Sequence, residues 1–229
     1  GSEMCIRDRA YYAKKMGLPI NKLICASNVN KVLTDFIETG VYDRNRDFYA
    51  TCSPSMDILI SSNLERLLYM LTDQNDAQIR EWFGSLAETG RYEVTDDVKK
   101  VLKEEFFGGY CDDEQTKATI SEIYKKYSYT CDTHTAVAVK VYEDYKKATG
   151  DETKTLIAST ASPYKFSASV LEAIEGKKSE LDEYDMVARL AELSDITVPS
   201  ALADLKNKER RFTGSIEKSD MNSYVMKDF

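Results

Sequence analysis

"KLICASNVNKVLTDFIETG", residues 22 to 40, decides the fold class. Its first six residues form a short apolar run that reads as a strand, Lys22 to Ser27. The rest places Val32, Leu33, Phe36 and Ile37 at i, i+1, i+4 and i+5, which is one face of a helix. Gly40 ends the run in the manner of a helix C-cap. A strand that passes directly into a helix is an α/β unit, and the rest of the chain extends that pattern.

Upstream, "AYYAKKMG" (10 to 17) predicts a helical stub stopped by Gly17 and Pro19. Downstream, residues 42 to 63 are polar and rich in breakers, a long connection of the kind that carries function. Helices are predicted at "LERLLYMLT" (64 to 72), where Leu64, Leu67, Leu68 and Leu71 share a face, and at "NDAQIREWFGSLAETG" (75 to 90). "RYEV" (91 to 94) reads as a strand. "TDDVKKVLKEEFF" (95 to 107) reads as a helix capped by Thr95, with Asp96 and Asp97 at its positive end. Two more helices are predicted at 113 to 127 and at Thr133 to Thr149, the latter N-capped by Asp132 and closed by Gly150. "TKTLIAS" (153 to 159) is expected to be a buried strand, and "PYKFSASVLEAIEG" (163 to 176) a helix with proline in its first turn. The region from 177 to 229 carries one clear helix, "SELDEYDMVARLAELS", and a polar end. The expected architecture is α/β, helix-rich, with a few mostly parallel strands.

The 229 residues suffice for a real core, and one compact unit is the default. The first nine, "GSEMCIRDR", lack an apolar signal-peptide region and differ in composition from the rest of the chain. They are expected to be a non-native, adaptor-like leader, with the native start outside the chain. No apolar run approaches the roughly 20 residues of a membrane span. Thirty-one basic against 39 acidic residues give a formal net charge of −8, which argues against nucleic acid as a partner. The five cysteines contain no C-x-x-C pair and, with a single histidine, make no plausible zinc set. Reduced cytoplasmic thiols and no metal are expected. There is no G-x-G-x-x-G, P-loop, G-x-S-x-G or H-E-x-x-H motif.

Three stretches place polar side chains at the mouth of an element. In "IASTASPYKF" (157 to 166), Ser159, Thr160 and Ser162 lie where a strand is expected to hand over to a helix, the usual ligand position in an open α/β sheet. Capping of the helix by Ser162 or Ser159 is the ordinary explanation, and Lys165 is either an anchor or part of the turn. "CDTHTAVAV" (131 to 139) holds His134, the single histidine, with no orienting partner identifiable at local spacing. "TCSPSMDILISSN" (51 to 63) offers Asp57 and Asn63 to a polar substrate group, although such residues also build turns.

Taken in order, "LPINKLICASNVNKVLTDFIETGVYD", "SPSMDILISSNLERLL", "CDTHTAVAV" and "ASTASPYKF" resemble the carboxy-terminal part of threonine synthase. "VPSALADLKNKERRF" is similar to that family's tail, so the resemblance runs from about Ala10 to the end. It implies the tryptophan synthase β-like fold of pyridoxal 5′-phosphate enzymes (fold type II). It also implies conversion of O-phospho-L-homoserine and water to L-threonine and phosphate by γ-elimination and β-addition. The family's Schiff-base lysine and glycine-rich phosphate cradle belong to segments upstream of Ala10 with no match here, so no catalytic residue is assigned and the chain alone is expected to be inactive. By resemblance Thr160, beside Ser159, faces the pyridine nitrogen, while Asp57, Asn63, His134 and Lys165 remain substrate-side candidates. Residues 10–176 are expected to belong to the catalytic domain and 177–229 to a helical extension packed on it. Self-association through an exposed apolar surface is also expected. The alternatives are a non-catalytic interaction module of the same fold and another fold type II phospho-lyase.

Overall fold

The computed structural model describes residues 6–194, 196–211 and 213–228. Two stretches pair as a parallel ladder, β1 (Leu23–Ser27) and β4 (Phe106–Tyr110), in register from Leu23 opposite Phe106 to Ser27 opposite Tyr110. The first two residues of this second strand, Phe106 and Phe107, were expected to end the preceding helix. That helix, α5 (Asp96–Glu105), instead stops at Glu105, and Thr95 stands at its N-cap without a side-chain bond.

The two glycines explain both the strand and its concealment, because helices press on β4 from both faces. A Cβ on Gly108 would lie 2.9 Å from Thr34 Cα in α2 (Val32–Thr39), and one on Gly109 would lie 2.5 Å from Val141 Cγ1 in α7 (Thr133–Thr149). Glycine in a strand weakens its propensity signal but admits such close approach. The Thr34 hydroxyl also donates to the Gly109 carbonyl at 3.0 Å.

A second, antiparallel pair joins β2 (Val41–Asp43) to β3 (Arg91–Glu93), with Tyr42 opposite Tyr92. Their rings stack at 5.3 Å, and Phe36, Trp82 and Phe83 pack around Tyr92. Leu64, Leu67 and Leu68 of α3 (Leu64–Leu71) are buried in the same core as Ile79 and Leu86 of α4 (Asp76–Thr89), and Leu71 packs against it partly buried. Helix α1 (Ile6–Lys15) runs through the boundary expected at residue 9, and Asp8 is buried in ion pairs with Arg7 and Arg66.

Against the other face of the β1–β4 ladder, α7 packs on α6 (Asp113–Tyr127), α6 on α8 (Ser167–Glu175), and α8 on α9 (Glu183–Leu193). Ile120, Val137, Val170, Leu171 and Leu190 fill these contacts. Asp112 and Gln115 form a reciprocal capping box at the start of α6.

The buried strand expected at 153–159 is absent: the segment is irregular, and Leu156 is 96 % exposed. An apolar run becomes a buried strand only with a neighbour to pair with, and the described ladders hold two strands each. The next helix enters through a 3-10 turn, Pro163–Phe166, before α8. The first compact unit ends at Ile196 and includes α9. Among the described residues of the second unit, Thr197–Phe229, short α-helices form at Ser200–Ala203 and Met221–Val225.

Candidate functional site

The parallel ladder ends at Ser27 and Tyr110, and the polar residues just after β1 set the position of the long loop. Asn28 and Asn30, both buried, were expected inside a helix, but α2 begins only at Val32. Asn28 Oδ1 accepts from the Asn30 backbone N–H at 2.9 Å, an Asx turn. The Asn28 amide then reaches Asp57 Oδ1 at 2.7 Å and Thr51 Oγ1 at 2.8 Å. Asn30 pins the loop backbone by donating to the Tyr49 carbonyl at 2.8 Å and accepting from its N–H at 3.0 Å.

Asp57 is the hub of this network. It accepts from the Thr51 N–H at 2.9 Å, the Thr51 hydroxyl at 2.7 Å and both asparagine amides. Its carboxylate is therefore spent on holding the loop against the end of β1. The spacing Asn-X-Asn between a strand and a helix is the signal that marks Asn28 and Asn30 as turn formers.

The same loop is fastened to two helix starts. The Cys52 N–H donates to the Asp113 carboxylate at 3.1 and 3.2 Å, and the Ser55 N–H donates to His134 Nε2 at 3.1 Å. Because Nε2 accepts, the proton of the neutral ring sits on Nδ1, 3.3 Å from both Asp132 Oδ1 and Thr133 Oγ1. Asp132 thus supplies the orienting partner that local spacing did not reveal. The imidazole also lies 4.7 Å from the Phe166 ring, which brings in the turn at 163–166.

Asp132, 1 % exposed, caps α7 by accepting from the backbone N–H of His134 at 2.8 Å and of Thr135 at 3.3 Å. Burial pushes its pKa up, but the hydrogen bonds from His134 and Thr135 outweigh that and hold it below the usual carboxylate value. Its Oδ2 lies 2.5 Å from Thr135 Oγ1, which is 2.9 Å from Ser159 Oγ. The three stretches singled out in the sequence therefore meet around the first turn of α7.

The individual candidates fare differently. Ser159 and Thr160 are exposed at this junction, and the Thr160 hydroxyl has no partner among the described residues. Ser162 caps the 3-10 turn by accepting from the Tyr164 N–H at 3.4 Å. Lys165 closes that turn through its backbone N–H to the Ser162 carbonyl at 3.0 Å, while its exposed ammonium lies over the Phe166 ring. Asn63 stands at the N-cap of α3, where it accepts from Arg66 Nη2 at 3.0 Å and shares no hydrogen bond with the other candidates.

Cys52 and Cys131 are pushed up to about 12, by burial first and by the neighbouring carboxylates Asp113 and Asp132 second. Thiols so placed stay protonated and are poor nucleophiles. Among the described residues no group of acidic, histidine or cysteine side chains is arranged to hold a metal, and no helix is long and apolar enough to cross a membrane.

The sequence pattern of the family described as "Threonine synthase, C-terminal" matches residues 135–224. The threonine synthase of Saccharomyces cerevisiae is 37 % identical over 191 residues, 77 % of this chain and 37 % of the relative. The pyridoxal-phosphate-bound threonine synthase of Brucella melitensis superposes with a TM-score of 0.74 at 32 % identity, covering 94 % of this chain and 42 % of that one. This chain is similar to the carboxy-terminal part of threonine synthases. Human "Threonine synthase-like 1" is 39 % identical over 170 residues, 74 % of this chain and 22 % of that protein. The chain thus spans well under half the length of these relatives. In this chain, the loop, the start of α7 and the 159–166 turn form one continuous polar cluster at the carboxyl end of the parallel ladder, where α/β sheets place their ligands.

Proposed function

We propose that this chain is one wall of the active site of a pyridoxal-phosphate-dependent threonine synthase, a cytoplasmic lyase of amino-acid biosynthesis. The full enzyme would convert O-phospho-L-homoserine and water to L-threonine and phosphate. The observation that carries the reading is the convergence of "SPSMD", "DTHT" and "STASPYKF" on one junction, in a chain that superposes on a cofactor-bound threonine synthase over 94 % of its length.

The residues present fit one side of the cofactor. The unpartnered Thr160 hydroxyl, with Ser159 beside it, supplies the neutral polar contact a ring nitrogen needs. Bound pyridoxal phosphate would supply the electron sink for elimination at the β and γ carbons. The chain's own residues have the tasks of positioning and support. Asp57 holds the loop, His134 joins the loop to α7 through the Ser55 N–H, and Asp132 fixes the first turn that carries His134 and Thr135. No lysine of this chain is assigned as the covalent anchor, since Lys165 is engaged in its turn, and we expect the chain alone to be inactive.

The test is reconstitution. The chain is combined with the amino-terminal part of a threonine synthase and assayed for phosphate release from O-phosphohomoserine, with the chain alone as control. Activity in the pair and none in the chain alone is the expected result. A well-folded pair without activity would overturn the proposal and favour an interaction module. Exposure of Leu156 and Met16, at 96 and 87 %, supports association with itself or with the complementing part, which light scattering at increasing concentration would detect.

A further inference from the structure

The long loop is fastened by groups that take up protons at different acidities. The turn Pro54–Met56 lies between two anchors that use carboxylates. On one side the Cys52 N–H donates to Asp113 at 3.1 and 3.2 Å, and on the other Asp57 Oδ1 accepts from the Asn28 amide and the Thr51 hydroxyl at 2.7 Å each. Between these anchors the Ser55 N–H donates to His134 Nε2 at 3.1 Å. Among the described residues it is the one hydrogen bond that ties residues 54–56 to a helix. Carboxylates ordinarily titrate near about pH 4 and imidazole near about pH 6.5, so mild acidification reaches an imidazole first.

A proton arriving at the His134 ring has one place to go. Nδ1 already carries the hydrogen that faces Asp132 Oδ1 and Thr133 Oγ1, both at 3.3 Å, so the second proton enters at Nε2. Two donors, Nε2–H and the Ser55 N–H, then confront each other and their hydrogen bond is lost. Ser55 is exposed, so water takes over its N–H. The ring stays in place, because the imidazolium gains a charge-assisted contact with buried Asp132. The positive end of α7 disfavours the imidazolium, and the Asp132 carboxylate at that same end offsets it. From the 163–166 turn the ring meets Phe166, with the Lys165 ammonium over that phenyl group. On the loop side, Asp57 and Asp113 are committed to their own donors, and Lys117 pairs with Glu172.

We infer that His134 is a proton-operated latch: neutral, it holds the 54–56 turn against the start of α7, and protonated, it stays with Asp132 and lets the turn go. The junction of the loop with α7 thus opens on mild acidification while the anchors on either side of the turn hold. The latch follows from the bonds of His134 alone and does not rest on the proposed reaction.

The experiment is an NMR titration of the full chain from about pH 8 to about pH 5, following the His134 ring nitrogens and backbone amide exchange. Nε2 should lose the shift of a bare nitrogen. With the same midpoint, the Ser55 amide should come to exchange about tenfold faster, after correction for the intrinsic pH dependence of exchange. The Thr51 and Cys52 amides, held by Asp57 and Asp113, should show no such step over this range. In His134→Gln, whose side-chain carbonyl accepts a hydrogen bond without titrating, the Ser55 step should disappear. Ser55 exchange that ignores the imidazole titration, loosening of Thr51 and Cys52 together with Ser55, or a Ser55 step that survives in His134→Gln would each overturn the latch. Should the variant fail to fold, the wild-type midpoints of the ring and of the three amides decide.

Discussion

Replacement of Asp132 by alanine or by asparagine should separate two contributions that the structure assigns to one carboxylate. Asp132→Ala removes the cap of a 17-residue helix, leaving the His134 and Thr135 N–H groups without their side-chain acceptor. Loss of such a cap costs about 1 to 2 kcal/mol. It also leaves the Thr135 hydroxyl and the His134 Nδ1–H without their acidic partner, and an unmet buried donor adds about 1 to 2 kcal/mol. The expected total is about 3 kcal/mol. Asparagine caps as well as aspartate, so Asp132→Asn should keep the first contribution and lose about 1 kcal/mol through the weaker neutral acceptor. Urea unfolding followed by far-UV circular dichroism reads these directly, as a fall in midpoint at constant slope. An alanine variant within about 0.5 kcal/mol of wild type would refute the reasoning, that being the ordinary effect of a surface change. An asparagine variant as damaged as alanine would refute the separation.

The same structure has other consequences. Asp132 is held below its ordinary pKa in the fold, so its stabilising contribution is full above the unfolded carboxylate pKa and is lost as pH falls through the depressed folded value. The stability gap between wild type and Asp132→Asn should accordingly shrink on acidification, and a constant gap would contradict the ionised cap. Gly108→Ala, which would set a Cβ 2.9 Å from the Thr34 backbone, should lower stability by about 1 to 3 kcal/mol through overpacking. By contrast Leu156→Asp, at a 96 % exposed position, should change the stability of the chain by less than about 0.5 kcal/mol, and a large loss would restore the buried strand. Cys131, pushed up to about 12 in a buried loop, should resist a thiol reagent at about pH 8 in the folded chain and react when unfolded; fast reaction in the native state would rule out that burial.

The legibility of this chain depended on the type of signal involved. Helices whose faces carry three or four apolar residues, such as α3 with Leu64, Leu67 and Leu68, were readable, because periodicity and burial have the same cause. So were the glycine stops at Gly40, Gly90 and Gly150, each left-handed at positive φ. The strand β4 was hidden because its two glycines serve the approach of α2 and α7 and carry no strand propensity. The segment at 153–159 failed in the opposite direction: its composition suits a strand, but pairing is a property of neighbours and not of the segment. At the site, the three stretches could be recognised one at a time from their hydroxyls, carboxylate and histidine. Their meeting could not, since Ser55 and His134 lie far apart in sequence, and Asp57 turns out to face inward onto Asn28 and Asn30.

The joining of these stretches at His134 is tested most directly by nitrogen-15 NMR of the imidazole at neutral pH. The account predicts a single tautomer, protonated at Nδ1 with a bare Nε2, and a through-bond correlation from Nε2 to the Ser55 amide proton. A ring exchanging between tautomers, with a Ser55 amide that exchanges as fast as an unstructured one, would contradict it.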